Sequence, residues 1–306
     1  MSHNNNTIIE LRTLFDNLGV VCATGEALSE HCTFRIGGAA ALMLFPSDTE
    51  QLTTVLRGLR GTDVRRMVMG YGSNLLFDDA GYDGVIVVTT GMRRVSVADG
   101  RLRAECGASC SAMALAAERA GLSGLEFAYG IPGTCGGAVF MNAGAYGSEM
   151  SALGPVVSCF DMRTGETLEL CGDALEMSYR HSVFMENPGL VVLDATLSLT
   201  PGNARDIRAA MEQNRASRRE KQPLEYPSAG SVFKRREGYF MGKLIEECEL
   251  KGCRIGGAQV SEKHAGFIVN RGEASSADVL ALVSHIQNVI AEKYGFVPEC
   301  EIRYIR

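Results

Sequence analysis

Residues 131–147 read IPGTCGGAVFMNAGAYG, and no other stretch restricts the fold as strongly. Five glycines and three alanines among these seventeen positions leave little side chain to pack. Glycine reaches backbone angles closed to other residues and lets main-chain N–H groups come close to a ligand. A run of such N–H groups forms a concave anion site, the usual way a loop holds a pyrophosphate. The competing reading is a flexible surface loop. Ile131, Val139, Phe140 and Met141 argue against it, because they are apolar and spaced to anchor the segment on a core. A linker would instead be polar and featureless.

A second glycine turn, GYGSNL, spans Gly70–Leu75. It follows the strand-like Val64–Met69 and leads into Leu75, Leu76 and Phe77, with Ser73 and Asn74 adding short hydrogen-bonding side chains. Two turns of this kind suit the two ends of one long phosphate-containing cofactor. Neither is a Walker loop, since no GxxxxGK[ST] occurs, and neither matches the GxGxxG dinucleotide fingerprint.

The 306 residues predict about two domains, with a core large enough to need no disulfide staples. A net charge of −6 argues against a general nucleic-acid binder, although it leaves room for a local basic pocket. Ten cysteines include no C-x-x-C pair and no H-E-x-x-H accompanies them, so metal is not expected; most read as small, buried, reduced hydrophobes. The N-terminal MSHNNNTIIELR has neither a charged n-region nor an apolar h-region, and no run approaches the ~20 apolar residues of a membrane span. The expected setting is cytoplasmic, without membrane contact.

Along the chain, Ile8–Leu18 predicts a helix with Ile8, Leu11, Leu14, Phe15 and Leu18 on one face. Asp48 caps a second helix carrying Leu52, Val55, Leu56 and Leu59. Strands are predicted over 85–90, 93–98, 102–106, 156–161, 167–170 and 190–199, with a helix at 109–120. Pro201–Gly202 suggests a boundary. Helices at 204–221, 239–247 and 278–294 follow, with strands at 264–270 and 297–305. This irregular order favours α+β over a doubly wound sheet. The cluster Arg215, Arg218, Arg219 and Lys221 at a helix C-terminus reads either as a solvated face suited to the dipole or as a diphosphate clamp.

Five stretches in order, GYGSNLL, IPGTCGGAVFMNAGAYG, YRHSVF, YPSAGSVFK and CEIRYI, resemble the UDP-N-acetylenolpyruvoylglucosamine reductases. These FAD enzymes complete UDP-N-acetylmuramate for peptidoglycan. The resemblance runs from about Thr33 to Ile305, and the short span between YRHSVF and YPSAGSVFK is similar to the compact second type of the family. It implies an α+β chain with an FAD-binding fold of the vanillyl-alcohol oxidase/PCMH type in two subdomains, 1–80 and 81–201. A C-terminal α+β substrate domain, 202–306, follows. It also implies non-covalent FAD, NADPH as reductant, a UDP-sugar substrate and no obligate protein partner.

By the same resemblance, the cofactor contacts are Tyr71, Gly72, Ser73, Asn74 and Leu75 from the first turn. The central stretch adds Ile131, Pro132, Gly133, Gly136, Gly137, Asn142, Ala143 and Gly144. Arg35 in TFRIGG faces either a phosphate or solvent. The catalytic set is Arg180, which polarises the substrate carboxylate, Ser231, which gives the proton to C2, and Glu301. On residue chemistry alone Ser231 is equally a turn residue and Arg180 a structural ion-pair partner. Strand alternation puts Glu299 on the same face as Glu301, which makes it the competitor. Lys221, Lys234, Gln259 and Asn270 are the substrate candidates. After SVFK the chain reads RREG, where many relatives carry proline or Asn-Pro, a departure from the family pattern that bears on local loop shape and not on the chemistry.

Two rival readings are a different FAD oxidoreductase of the same fold and a non-catalytic nucleotide- or flavin-binding module. Many sugar and hydroxy-acid oxidases tether flavin through histidine, and neither glycine stretch contains one. A binding module would need the glycine stretches but not Arg180, Ser231 and Glu301 together.

Overall fold

A computed structural model describes residues 2–306, with side chains from residue 6 onward. The chain forms two compact units, each assembled from separated segments. The first holds the residues up to Thr24, Leu42–Tyr71 and Gly84–Ser217; the second holds Gly25–Ala41, Gly72–Asp83 and Arg218–Arg306.

In the first unit, helix α1 (Ser2–Asn17) buries Ile8, Leu11 and Phe15, spaced at i, i+3 and i+7. Leu14 and Leu18, expected on the same face, remain 42% and 48% exposed. Helix α2 (Thr49–Leu59) starts where the Asp48 side chain accepts the Gln51 N–H, and its buried face is Leu52, Val55, Leu56 and Leu59. Gly58 lets α1 approach, since a Cβ there would sit 2.8 Å from the Phe15 ring. Arg66–Met69 pairs in parallel with Val85–Val88 of the strand Tyr82–Val88.

The main sheet of this unit is antiparallel. Its order is Thr167–Cys171, Val156–Asp161, Leu190–Ser198, Arg101–Glu105, Val95–Ala98. The central strand is the long apolar run of the sequence, and Val191–Ala195 are all buried. Helix α3 (Cys110–Arg119), capped by Ser109, lies beside this sheet. Helix α4 (Cys135–Phe140) packs on its central strand. Helix α5 is a single turn, Val183–Glu186. Helix α6 (Ala204–Lys221) carries the chain out of the unit.

The second unit has shorter pieces. Helix α7 is Met241–Glu247, and a three-stranded antiparallel sheet runs Arg254–Ile255, Ala258–Val260, Ile268–Asn270. Only 268–270 of the predicted strand 264–270 is extended, because His264 closes a turn by accepting the Gly266 and Phe267 N–H groups. Arg303–Ile305 pairs in parallel with Leu75–Phe77. The expected strand 297–305 is therefore confined to its last three residues. Upstream, Pro298 has no N–H to give a ladder, and pairing survives only as a bridge between Phe233 and Cys300.

Helix α8 (Ser276–Tyr294) buries Val279, Leu282, Val283, Ile286 and Ile290. Its start is a capping box in which Ser275 accepts the Asp278 N–H and Asp278 accepts the Ser275 N–H. Asp278 also accepts the Gly257 N–H at 3.1 Å, and no Cβ fits at Gly256 beside it. Gly295 ends the helix at φ 76°. Among the described residues no helix is long and apolar enough to cross a membrane.

The N–H groups of Ser275 and Gly257 hold the Asp278 carboxyl below its ordinary value. A carboxyl depressed in the folded state adds stability above its unfolded value and loses it as pH falls through the folded one. Ser275→Ala should lower stability by about 1 kcal/mol in denaturant titration at neutral pH. Asp278→Ala should in addition flatten the loss of stability below about pH 4 relative to the parent chain.

Candidate functional site

The two glycine-rich stretches meet in the first unit. Gly70 faces Thr134 so closely that a Cβ at residue 70 would lie 2.3 Å from the threonine Oγ1. Thr134 is the N-cap of α4, its Oγ1 accepting the Gly137 N–H at 3.4 Å. The central stretch, read from composition as a loop, thus contains a short helix. Its first amides are committed: Cys135 N–H donates to the Ala108 carbonyl and Gly136 N–H to that of Cys106, both at 2.8 Å. A Cβ on Gly136 would sit 2.9 Å from Cys106 Cβ, so glycine here permits close packing on the sheet. Pro132 and Gly137 stay exposed, while Tyr71, Ile131, Gly133, Ala143 and Gly144 are half-buried. The result is a ledge of nearly bare backbone beside Gly70 and Tyr71.

After α4, Asn142 turns the chain at φ 41° and is fully buried. Its side chain donates to Glu149 at 3.0 Å and to the Ser178 carbonyl at 2.9 Å, and accepts the Ser151 N–H at 2.9 Å. Ser178 and His181 exchange both backbone hydrogen bonds, so Tyr179 and Arg180 form the tip of a tight turn. Arg180 sits at φ 55° and donates to the Gly144 carbonyl at 3.3 Å. Asn142 therefore holds the base of the turn that presents Arg180. Tyr146, at φ 53°, donates to the Asn214 carbonyl at 2.8 Å and ties the same stretch to α6. Farther along that helix the Arg215 guanidinium lies 5.7 Å from the Tyr129 ring centroid. The cysteines beneath the ledge are inert: burial pushes Cys106 up to about 12 and Cys135 well up. Of the ten cysteines, Cys32, Cys106, Cys110, Cys135 and Cys159 are buried and Cys171 is exposed, and all ten are free thiols.

In the second unit, Ser231 and Glu301 lie on adjoining segments. Ser231 bridges Phe267, and the next residue, Val232, accepts the Glu301 N–H at 2.7 Å. Lys234 N–H donates to the Glu299 carbonyl, and the Lys234 ammonium bonds the Glu299 carboxylate. This register separates the two glutamates. Glu299 is exposed and pairs with Lys234, while Glu301 is half-buried and lies across from Val232. Asn74 of the first glycine turn donates from Nδ2 to the Glu301 carbonyl at 3.0 Å, and its own carbonyl accepts the Arg303 N–H. Gly72 enters that turn at φ 59° with no room for a Cβ beside Cys32. Ser73 is half-buried and Leu75 buried.

Two other predicted residues make side-chain hydrogen bonds within the second unit. Asn270 is buried and donates to the Phe34 and Arg35 carbonyls at 3.2 and 3.4 Å while accepting the Gly272 and Ala274 N–H groups. It fixes the loop on which Arg35 stands exposed at φ 55°. Gln259, central in the three-stranded sheet, donates to the Gly252 carbonyl at 3.0 Å. Lys221 is exposed at the end of α6. Thr134 was not among the residues sequence reasoning selected. The signal for it was present, a threonine three residues before a glycine at the head of an apolar stretch.

Residues 40–162 match the FAD binding domain model, and residues 222–305 match the model of the UDP-N-acetylenolpyruvoylglucosamine reductase C-terminal domain. The UDP-N-acetylenolpyruvoylglucosamine reductase of Caldanaerobacter subterraneus subsp. tengcongensis is 45% identical over 279 residues, 90% of this chain and 92% of the relative. That of Clostridium tetani is 40% identical over 296 residues, 96% of each. The crystal structure of the Thermus caldophilus enzyme superposes with a TM-score of 0.78 at 32% identity, covering 94% of this chain and 99% of that one. The α+β fold is thus the expected FAD-binding fold of the vanillyl-alcohol oxidase/PCMH type with an appended C-terminal domain. Matched along nearly its whole length by these relatives, the chain belongs to the UDP-N-acetylenolpyruvoylglucosamine reductase family and is an FAD-dependent oxidoreductase.

Proposed function

We propose that this chain reduces UDP-N-acetylglucosamine enolpyruvate to UDP-N-acetylmuramate for peptidoglycan precursor synthesis, in the cytoplasm, with NADPH as reductant. Beyond family membership, the observation that supports the reading is the Val232–Glu301 hydrogen bond, which sets Glu301 opposite the residue that follows Ser231. A hydroxyl and a carboxyl carried on adjoining segments are groups that protonation of a carbon and support of its charge can use.

The first unit fits FAD at the ledge beside Gly70 and Tyr71. Bare backbone at Gly133 and Gly137, with small uncharged neighbours, suits close approach of phosphate and ring alike. We assign the flavin to 1–80 and 81–201 and the substrate domain to 202–306. Bound non-covalently there, FAD would supply hydride chemistry directed at C3 of the enolpyruvyl ether, with NADPH as the external reductant. Arg180 holds the substrate carboxylate, to which its planar guanidinium offers two parallel hydrogen bonds. Charge developing toward C2 is met by Arg180 and by Glu301, which can donate to it only as the protonated acid. Ser231 delivers the proton to C2. A serine hydroxyl is a poor acid, and it serves because the carbanion is strongly basic. Asn142 and Asn270 act as positioning residues, the first for Arg180 and the second for the Arg35 loop. Lys221, Lys234 and Gln259 are assigned to the sugar nucleotide.

Anaerobic visible spectra test the reading first. Flavin bands should bleach with NADPH and return with the enolpyruvyl substrate; a fully reconstituted protein without flavin bands would leave a nucleotide-binding module instead. Ser231→Ala should keep flavin reduction by NADPH and slow reoxidation by substrate at least about a hundredfold in stopped flow. Near-parental reoxidation would remove Ser231 from its role. Gly70→Ala should purify with less flavin because it drives against Thr134. Adding Thr134→Gly, a capping change that costs only a few tenths of a kcal/mol, should restore flavin content. Unchanged flavin in Gly70→Ala would show that the ledge does not hold the cofactor.

A further inference from the structure

We infer that Thr33 is a positioning residue for Ser231, an inference that rests on the reading of Ser231 as proton donor. Both stand in the second unit, on segments joined by a reciprocal pair of bonds. Thr33 Oγ1 donates to the Ser228 carbonyl at 2.7 Å across 195 positions of sequence, and the Ser228 N–H donates back to the Thr33 carbonyl at 3.1 Å. Beside this pair the Pro227 carbonyl accepts the Asn270 N–H at 2.9 Å. Downstream of Ser231, the Val232 N–H donates to the Gly266 carbonyl at 2.9 Å. The Val232 carbonyl accepts the N–H groups of Glu301 and Ile302 at 2.7 and 3.5 Å. Residues 229–231 are thus a short span between two anchored ends.

The Ser231 oxygen is one rotatable bond from the backbone, so it goes where that span puts it. Gly230 turns the span at φ 81° and, without a side chain, gives it little stiffness of its own. The direction in which the chain enters this turn is therefore set upstream, at the peptide group whose carbonyl Thr33 holds. Thr33 is well placed to hold it. Its neighbours Cys32 and Phe34 are buried, and Asn270 ties the Phe34 and Arg35 carbonyls, which makes the loop a fixed post. Branching at Cβ restricts threonine's χ1 and keeps the hydroxyl aimed. Without that hydroxyl the 228–229 peptide can tilt even while the Ser228 N–H stays bonded, and Ser231 moves with it. A displacement of about 1 Å at a reacting group costs as much as about a hundredfold in rate.

Thr33→Val removes the hydroxyl and keeps the branched shape, whereas Thr33→Ser keeps the hydroxyl. The two holoenzymes, Ser231→Ala and the Thr33→Val, Ser231→Ala double variant are compared with the parent in stopped flow. Flavin content, reduction by NADPH and reoxidation by UDP-N-acetylglucosamine enolpyruvate are measured. Thr33→Val should slow reoxidation at saturating substrate by about ten- to a hundredfold and move the half-saturating substrate concentration by less than about twofold. Thr33→Ser should stay within about threefold of the parent. In the Ser231→Ala background Thr33→Val should cost less than about threefold, since the group it places is gone. Amide exchange over residues 228–232 should quicken in Thr33→Val and not in Thr33→Ser. Parental reoxidation or parental exchange in Thr33→Val, multiplicative losses in the double variant, or failure of Thr33→Ser to retain the rate would each overturn the inference. So would a fall in flavin content or in reduction by NADPH, which would place Thr33 in the service of the cofactor. Parental reoxidation in Ser231→Ala would instead overturn the catalytic reading beneath it. Thr33→Ala, with no branched methyl to fit, replaces the valine variant should that not fold.

Discussion

The contact between Gly70 and Thr134 is the constraint from which the first unit's site follows. It exists because one partner has no side chain, and it sits among others of the same kind. Gly107 lies so near the Thr89 carbonyl that a Cβ would come within 1.7 Å of the oxygen, and Gly136 rests on Cys106. Close-packed interiors cannot absorb a methyl group at such points without moving backbone. The glycines therefore do two jobs at once. They let strand, turn and short helix close on one another, and at Gly133 and Gly137 they leave backbone without a side chain over it.

The second unit reaches order by another route. Its ladders are short, and several pairings are single bridges, as at Ser231 with Phe267 and Phe233 with Cys300. Such pieces do not hold register through repeated backbone bonds, so side chains supply what is missing. Asn270 ties two separate loops, Asn74 takes the Glu301 carbonyl, and Asp79 accepts both the N–H and the hydroxyl of Ser276 at the head of α8. Each of these bonds is worth about 1 kcal/mol when made, and leaving the buried group unpaired costs up to about 3 kcal/mol. Irregular backbone and polar staples go together, and they place catalytic candidates on segments that regular strands would have made stiffer but less adjustable.

What could be read from the sequence follows the same divide. Helices α2, α6 and α8 declared themselves, because a periodic apolar face and a capping residue are local signals. The central strand Leu190–Ser198 did so through an uninterrupted apolar run. The candidate site is legible in the sequence as motifs alone: the two glycine stretches and the segments carrying Ser231 and Glu301. Their partners are not. Asn142 and Asn270 looked like ligand contacts because asparagine beside glycine suits either task, and only the three side-chain bonds of the first and the four of the second show how each also braces its unit. Glu299 and Glu301 looked equivalent because alternation assumes a strand, whereas Pro298 prevents one. The link from Asn74 to Glu301 has no local trace at all.

Lys234 shows why a bonded side chain is not thereby excluded from binding. Its ammonium pairs with Glu299, a carboxylate 71% exposed. Exposed pairs of this sort contribute at most about 1 kcal/mol, since water and salt stabilise the separated charges nearly as well. The Arg103–Asp194 pair is a different case: two parallel bonds of 2.9 and 2.8 Å reach a buried carboxylate, and removing the arginine would strand that charge. A ligand diphosphate carries more charge than one glutamate and offers more acceptor oxygens. It can take Lys234 from Glu299 at small cost, because the released carboxylate already stands in solvent. No anion could draw Arg103 from Asp194 so cheaply. On energetic grounds the first pair is a resting arrangement compatible with recognition, and the second is part of the frame.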